Sequence, residues 1–220
     1  MPARRAPIRL LLLTVIALSL VAAVPGFASA KSNLQVGFLD NRYFGLNPTG
    51  YWENAVALKV GFARWDINWN NIAPTKPRNA ADPADPAYDW VATDAFVRQA
   101  TAHGLQDRVM FTVWTSPRWA ISTKATSAFA VQMPKLPAWR DFVRACATRY
   151  SGTYTPPGET TPLPRVKAWE TWNEPNGEFA FRPQKQNGKW VSPRNYVKLL
   201  NALKREVNAA VPFRPTFVAG

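Results

Sequence analysis

A single cysteine and a single histidine remove much chemistry from consideration before any motif is read. Cys146 has no partner for a disulfide within the chain, and no His/Cys cluster is present to hold a metal. No metal or other cofactor is therefore expected. Cys146 sits at a helical core spacing and reads as a small buried hydrophobe. His103 precedes Gly104 at an expected helix end, where an imidazole meets the last carbonyls. Acidic residues are also scarce, with 14 Asp and Glu against 27 Lys and Arg and a net charge of +13. The cations are scattered, with no run longer than two and no recognisable nucleic-acid module, so nucleic acid is not the expected partner. A basic surface serving solubility or an anionic cell wall accounts for the balance.

Long apolar runs are missing after the first thirty residues. Within them, Arg4, Arg5 and Arg9 precede an apolar stretch at 10–24, broken by Pro25 and Gly26 and followed by Ala28-Ser29-Ala30. This is the pattern of a signal peptide with cleavage near Ala30. The stretch falls short of the roughly twenty residues that span a bilayer. The mature chain is expected to begin at Lys31, to be secreted, and to have no membrane span. Without the three leader arginines, 24 basic residues face 14 acidic ones, a balance of +10. Residues 31–220 suffice for one domain with a sizeable core.

Ten tryptophans stand out among what is present. An indole stacks on the C–H faces of sugar rings but equally fills cores, and half or more are expected in the core. Strand-like and helix-like segments alternate. Strands are expected at 35–39, 62–67, 109–114, 166–172 and 216–219, and helices at 52–58, 90–103, 137–150 and from Ser192-Pro193 onward. Asp89 is the expected N-cap of the second helix. Trp139, Phe142, Val143, Cys146, Ala147 and Tyr150 form one face of the third. Such strand–helix repeats imply an α/β fold with a parallel sheet, either open and doubly wound or closed as a (β/α)8 barrel. No Gly-rich phosphate loop follows the first strand, and the residues richest in chemistry fall at C-terminal strand ends, as a barrel requires. They are Arg64 and Asp66, then Trp114, then Asn173 and Glu174.

The strongest local signal is Trp169-Glu170-Thr171-Trp172-Asn173-Glu174-Pro175-Asn176. A carboxylate at a strand end and walled by tryptophans loses hydration, which should raise its pKa toward that of a general acid. Asn173 offers a donor and an acceptor to a sugar hydroxyl. Pro175 is expected to stop the strand and present Glu174 at the rim. Period-two alternation puts Glu170 on the same strand face as Glu174, where it needs a partner such as Arg64 and reads as a structural carboxylate.

The Asn-Glu-Pro at the end of the fourth strand resembles the acid/base motif of clan A glycoside hydrolases, families 5 and 39 above all. The segment Phe62-Ala63-Arg64-Trp65-Asp66-Ile67-Asn68-Trp69 is similar to their arginine-bearing second strand. Thr115-Ser116-Pro117-Arg118-Trp119-Ala120 resembles the loop after their third. The likeness spans 35–220 and implies the N-terminal part of a TIM barrel, ending after four β/α units and the start of a fifth strand. It also implies retaining hydrolysis of an oligosaccharide or polysaccharide. Glu174 would act as catalytic acid/base. Asn173 would bind the 2-hydroxyl and Arg64 would position the nucleophile, or else form a surface ion pair with Asp66. Trp114 and Trp69 would bind substrate, with a core role equally open for Trp114. The nucleophile of that clan is a seventh-strand glutamate, expected beyond residue 220; Glu178, next to Glu174 in the same loop, is no substitute. A non-catalytic carbohydrate-binding protein and a basic cell-envelope-binding protein are the alternatives.

Overall fold

The computed structural model describes residues 35–41, 50–122 and 128–219. The expected signal peptide lies outside the described residues. No described helix is long and apolar enough to cross a membrane. In chain order the larger elements are β1 (Gly37–Leu39), α1 (Tyr51–Ala57), β2 (Phe62–Asn68), α2 (Trp69–Ile72), α3 (Val91–Ala102), β3 (Val109–Trp114), α4 (Leu136–Arg149) and β4 (Ala168–Thr171). They continue with β5 (Lys185–Gln186), β6 (Lys189–Trp190), α5 (Ser192–Ala210) and β7 (Thr216–Ala219). The fold is mixed α/β.

Five strands form one parallel sheet in the order β1-β2-β3-β4-β7, so each new strand is laid beside the previous one. The spatial order never reverses, and all five strands end on the same side. The burial of β2 alternates residue by residue: Ala63, Trp65 and Ile67 are buried, while Phe62, Arg64, Asp66 and Asn68 on the other face are partly open. This is the period-two alternation of a strand with unlike faces. The buried face packs on helices. Trp65 stacks on Phe96 of α3 with ring centres 4.6 Å apart, and Phe111 of β3 meets Tyr150 edge-on at 4.9 Å. Through the register, the opposite face aligns Arg64 with Met110, Asp66 with Thr112, Asn68 with Trp114, and Thr112 with Glu170. At the N-terminal ends of the strands this second face holds a cavity of about 470 Å³, with Phe62, Met110, Ala168 and Val218 in its lining.

The buried stripe of α4 contains Trp139, Phe142, Val143, Cys146 and Ala147, the three-and-four spacing of its sequence. Cys146 is fully buried, and burial pushes its thiol well above the ordinary value. The N-cap position of α3 is Trp90, one residue after the expected Asp89. The Asp89 carboxylate nevertheless accepts the Val91 N–H at 3.1 Å, satisfying a first-turn donor. At the other end His103 Nδ1 lies 2.9 Å from the Gln99 carbonyl, and its ring stacks on Trp52.

α3 and α4 are tied by a buried polar knot. Arg149 donates from Nε and Nη2 to the two carboxylate oxygens of Asp94, and the Tyr150 hydroxyl donates to the same carboxylate at 2.8 Å. The side chains are only 8% and 15% exposed. Asp94→Ala leaves the guanidinium buried without a counter-charge, so urea unfolding should show a loss of about 3–5 kcal/mol. Asp94→Leu combined with Arg149→Met should recover most of it, because two apolar partners leave no orphaned charge. A loss under about 1 kcal/mol in the single variant would show that the knot contributes little, as exposed pairs do.

Candidate functional site

Because the strands are parallel, the chemistry at their C-terminal ends gathers on one side of the sheet. Arg64 is its centre. Its Nη2 donates to Asn173 Oδ1 at 2.8 Å and lies 3.3 Å from Glu170 Oε2 and 3.4 Å from Asp66 Oδ1. One guanidinium thus joins β2, β4 and the segment after β4. Thr112, from β3 between them, donates its hydroxyl to Glu170 Oε2. Glu170 is buried at 7% exposure and has the cationic partner its position requires. Arg64 pairs with Asp66 as well as Glu170, within a partly buried network rather than a surface ion pair. Burial pushes the Asp66 carboxyl up and the Glu170 charge adds to this; together they outweigh the opposing pull of Arg64.

The Asn173 amide is oriented by that bond. Its oxygen is used by Arg64, so what remains for a ligand is chiefly its NH2 donor, not the donor and acceptor together. Asn41, just past β1, brackets the Asp66 backbone: its side chain donates to the Asp66 carbonyl at 2.8 Å and accepts the Asp66 N–H at 2.9 Å. A side-chain amide thereby takes the place of a strand bridge beside the cluster.

The backbone at these ends is strained. Thr115 follows β3 with φ 62°, Trp172 follows β4 with φ 64°, and Glu174 has φ 47°. Left-handed conformations in residues with a Cβ cost roughly 1–3 kcal/mol each and persist only where surrounding contacts impose them. For Thr115 these contacts are its hydroxyl bond to Asn68 Oδ1 at 2.8 Å and the Asn70 N–H it accepts at 3.1 Å. For Trp172 they are its N–H to the Val113 carbonyl, its indole N–H to the Ala180 carbonyl, both 2.8 Å, and packing on Phe181 and Trp139. Glu174 opens a turn closed by the Gly177 N–H on the Glu174 carbonyl at 3.0 Å.

Several expectations need correcting. β4 ends at Thr171, so the positive φ of Trp172 terminates the strand before Pro175 is reached, and strand alternation does not extend to Glu174. Trp169 and Trp172 do not wall the Glu174 carboxylate. Both are fully buried in the helix-side core, while Glu174 is exposed and its carboxylate accepts no hydrogen bond from the described residues. Trp69 is not available to a substrate either. It is fully buried, stacked flat on Phe142 at 4.7 Å and edge-on to Trp119, and so offers no ring face. Trp114 is only partly buried, on the same sheet face as Asn68. Its indole N–H and the Arg64 Nε–H are buried without a hydrogen-bond partner among the described residues. Unpaired buried donors are uncommon and costly, and both lie at this cluster.

Thr112 and Asn41 carry no sequence signal beyond their positions on a strand and just after one. A second feature had a legible signal: Asn187-Gly188 turns the hairpin β5–β6, with φ values of 51° and 74°. Two central residues with positive φ and an Asn-Gly pair make the type I′ turn that two-residue hairpins prefer. Among the described residues no three His, Cys, Asp or Glu side chains converge as a metal site. No family model matches the chain, and no curated protein matches it either.

Proposed function

We propose that this chain carries the acid/base side of a retaining glycosidase site, on a sheet forming the first strands of a (β/α)8 barrel, and that it acts outside the cell. The observation that carries this reading is the 2.8 Å bond from Arg64 to Asn173, which ties the ends of β2 and β4 immediately before Glu174. Strands added in chain order without reversal support the barrel, since a doubly wound sheet reverses at a switch point. The strained turns and the unpaired donors of Arg64 and Trp114 support a ligand at this end.

In this reading Glu174 protonates the glycosidic oxygen as the bond to the anomeric carbon breaks, then takes a proton from the water that resolves the covalent intermediate. Asn173 donates to the 2-hydroxyl. The attacking carboxylate belongs about 5–5.5 Å from Glu174, on the opposite side of the scissile bond. Asp66 and Glu170 are committed to Arg64, so the attacking group would come from outside the five strands. A carbohydrate-binding protein without catalysis is the second reading, favoured by the solvent around Glu174 and by an exposed tryptophan, Trp190.

Product stereochemistry tests the choice. The full-length secreted gene product, supplied with a panel of β-linked oligosaccharides, should release a sugar whose β-anomer appears first in the NMR spectrum and mutarotates later. Initial α-anomer would contradict a double displacement. Glycan binding without release of reducing ends would favour the binding-protein reading.

A further inference from the structure

All ten tryptophans fall within the described residues: seven are buried, Trp114 and Trp119 are partly buried, and Trp190 alone is open, at 65% exposure. Trp190 closes the β5–β6 hairpin, directly opposite Lys185, whose Nζ stands 4.2 Å from the ring centre. A ring with a lysine on one side that is still 65% exposed keeps its other face free. The hairpin has two residues per strand, too few to hold a shape alone. Gln184 anchors it. Its Nε2 donates to the Phe181 carbonyl at 2.6 Å and the Pro175 carbonyl at 3.0 Å, and its Oε1 accepts the Ser192 hydroxyl at 2.7 Å. The Gln184 carbonyl also accepts the Val191 and Ser192 N–H groups. One side chain therefore fixes the exposed tryptophan relative to the residue that follows Glu174.

Between the hairpin and that loop lies a cleft of about 450 Å³, within the range of small-ligand sites, with Asn176, Glu178, Arg182, Gln184, Lys185 and Trp190 in its lining. Lys185 is engaged with the Trp190 ring, which leaves Arg182 as the cation open to the cleft. Arg182 uses Nε on the Glu178 carbonyl at 2.8 Å and has no ion pair among the described residues. An aromatic platform beside such a guanidinium fits a ring that carries an anion.

We propose that this cleft is a glycan subsite in which a sugar ring stacks on the free face of Trp190 and its carboxylate, as in a uronic acid, is bound by Arg182. The inference rests on the glycosidase reading and adds to it an acidic polysaccharide as the substrate class.

The test uses the full-length protein on an array of uronic-acid-containing and neutral oligosaccharides, followed by calorimetric titration of the strongest acidic and neutral binders. Acidic glycans should bind about tenfold or more tighter, as expected for a charge-assisted hydrogen bond. Trp190→Ala should weaken both classes by about tenfold or more, as loss of an aromatic anchor does. Arg182→Gln should erase the preference for acid and leave neutral binding unchanged. Both residues lie outside the core, so unchanged thermal melts should accompany these losses. Neutral preference, or binding indifferent to Trp190→Ala, would overturn the proposal. So would retention of heparin and DNA alike that falls with salt regardless of Trp190, the mark of a merely basic surface. Hydrolysis of neutral aryl glycosides, which carry no carboxylate for Arg182, reports the glycosidase reading separately. Hydrolysis with a silent cleft sinks the subsite alone, whereas acid-selective binding through Trp190 without hydrolysis sinks the glycosidase reading alone.

Discussion

Glu174→Gln in the full-length protein is expected to lower kcat/KM by about 10²–10⁴-fold on glycosides with poor leaving groups, the usual worth of a positioned general acid. The amide is nearly isosteric with the carboxyl and should keep substrate affinity close to that of the parent. What it loses is the proton. A leaving group such as dinitrophenolate departs without one, so kcat/KM on its glycoside should fall little, while kcat falls because water in the second step has lost its base. Azide, an anionic nucleophile that needs no deprotonation, should then restore kcat and yield a β-glycosyl azide. Glu174 is exposed in the unliganded chain, so substrate itself has to displace the water around it. For that reason the loss should be larger on extended glycans, which exclude more solvent, than on monosaccharide glycosides. Equal losses for good and poor leaving groups, with no response to azide, would overturn the acid/base role proposed for Glu174 and leave its strained turn a matter of structure.

The sheet was legible because its signals are repeated. Alternation along 62–68 and the apolar run at 109–114 mark strands by period and length, and the third helix is announced by six apolar positions on one face. Their boundaries follow to within a residue or two. The site was legible in part for the same reason: parallel strands bring their ends together, so Arg64 and Glu170 meet whatever the loops do. What a sequence cannot distinguish is where a side chain points once regular backbone stops. The sequence pattern makes Trp172 the last residue of a strand. Its left-handed φ instead turns the indole into the core, where it packs on Phe181 and Trp139, and Asn173 emerges beside Arg64. Trp69 and Trp190 are chemically the same residue. Long-range packing on Phe142 buries the first, and a hairpin whose polar strands show no alternation exposes the second.

Arg64→Met should be the most damaging change at the sheet end, and its effect should depend on pH in a definite direction. The guanidinium is 19% exposed and faces both Asp66 and Glu170, so its removal leaves two carboxylates close together without a counter-charge. Breaking a buried pair from one side costs about 3–5 kcal/mol, and partial exposure here lowers that to roughly 2–3 kcal/mol at neutral pH. The Asp66 carboxyl already lies above its ordinary value despite Arg64, which pulls it down. A group raised on folding contributes stability that is complete below its unfolded value, about 4, and is lost as pH rises through the folded value. Without Arg64 that folded value moves higher still, so the variant loses stability over a wider range of rising pH. Urea unfolding should show parent and variant close together near pH 4 and well separated at pH 7. Arg64→Lys should keep most of the stability, since a charge remains, yet it cannot hold Asn173 and both carboxylates at once with a planar fork. Its kcat/KM should fall by about 10²-fold from mispositioned Asn173, with substrate affinity changed less. A stability gap for Arg64→Met that is constant with pH, or wider in acid, would mean that the guanidinium acts through packing rather than through the carboxylates it contacts.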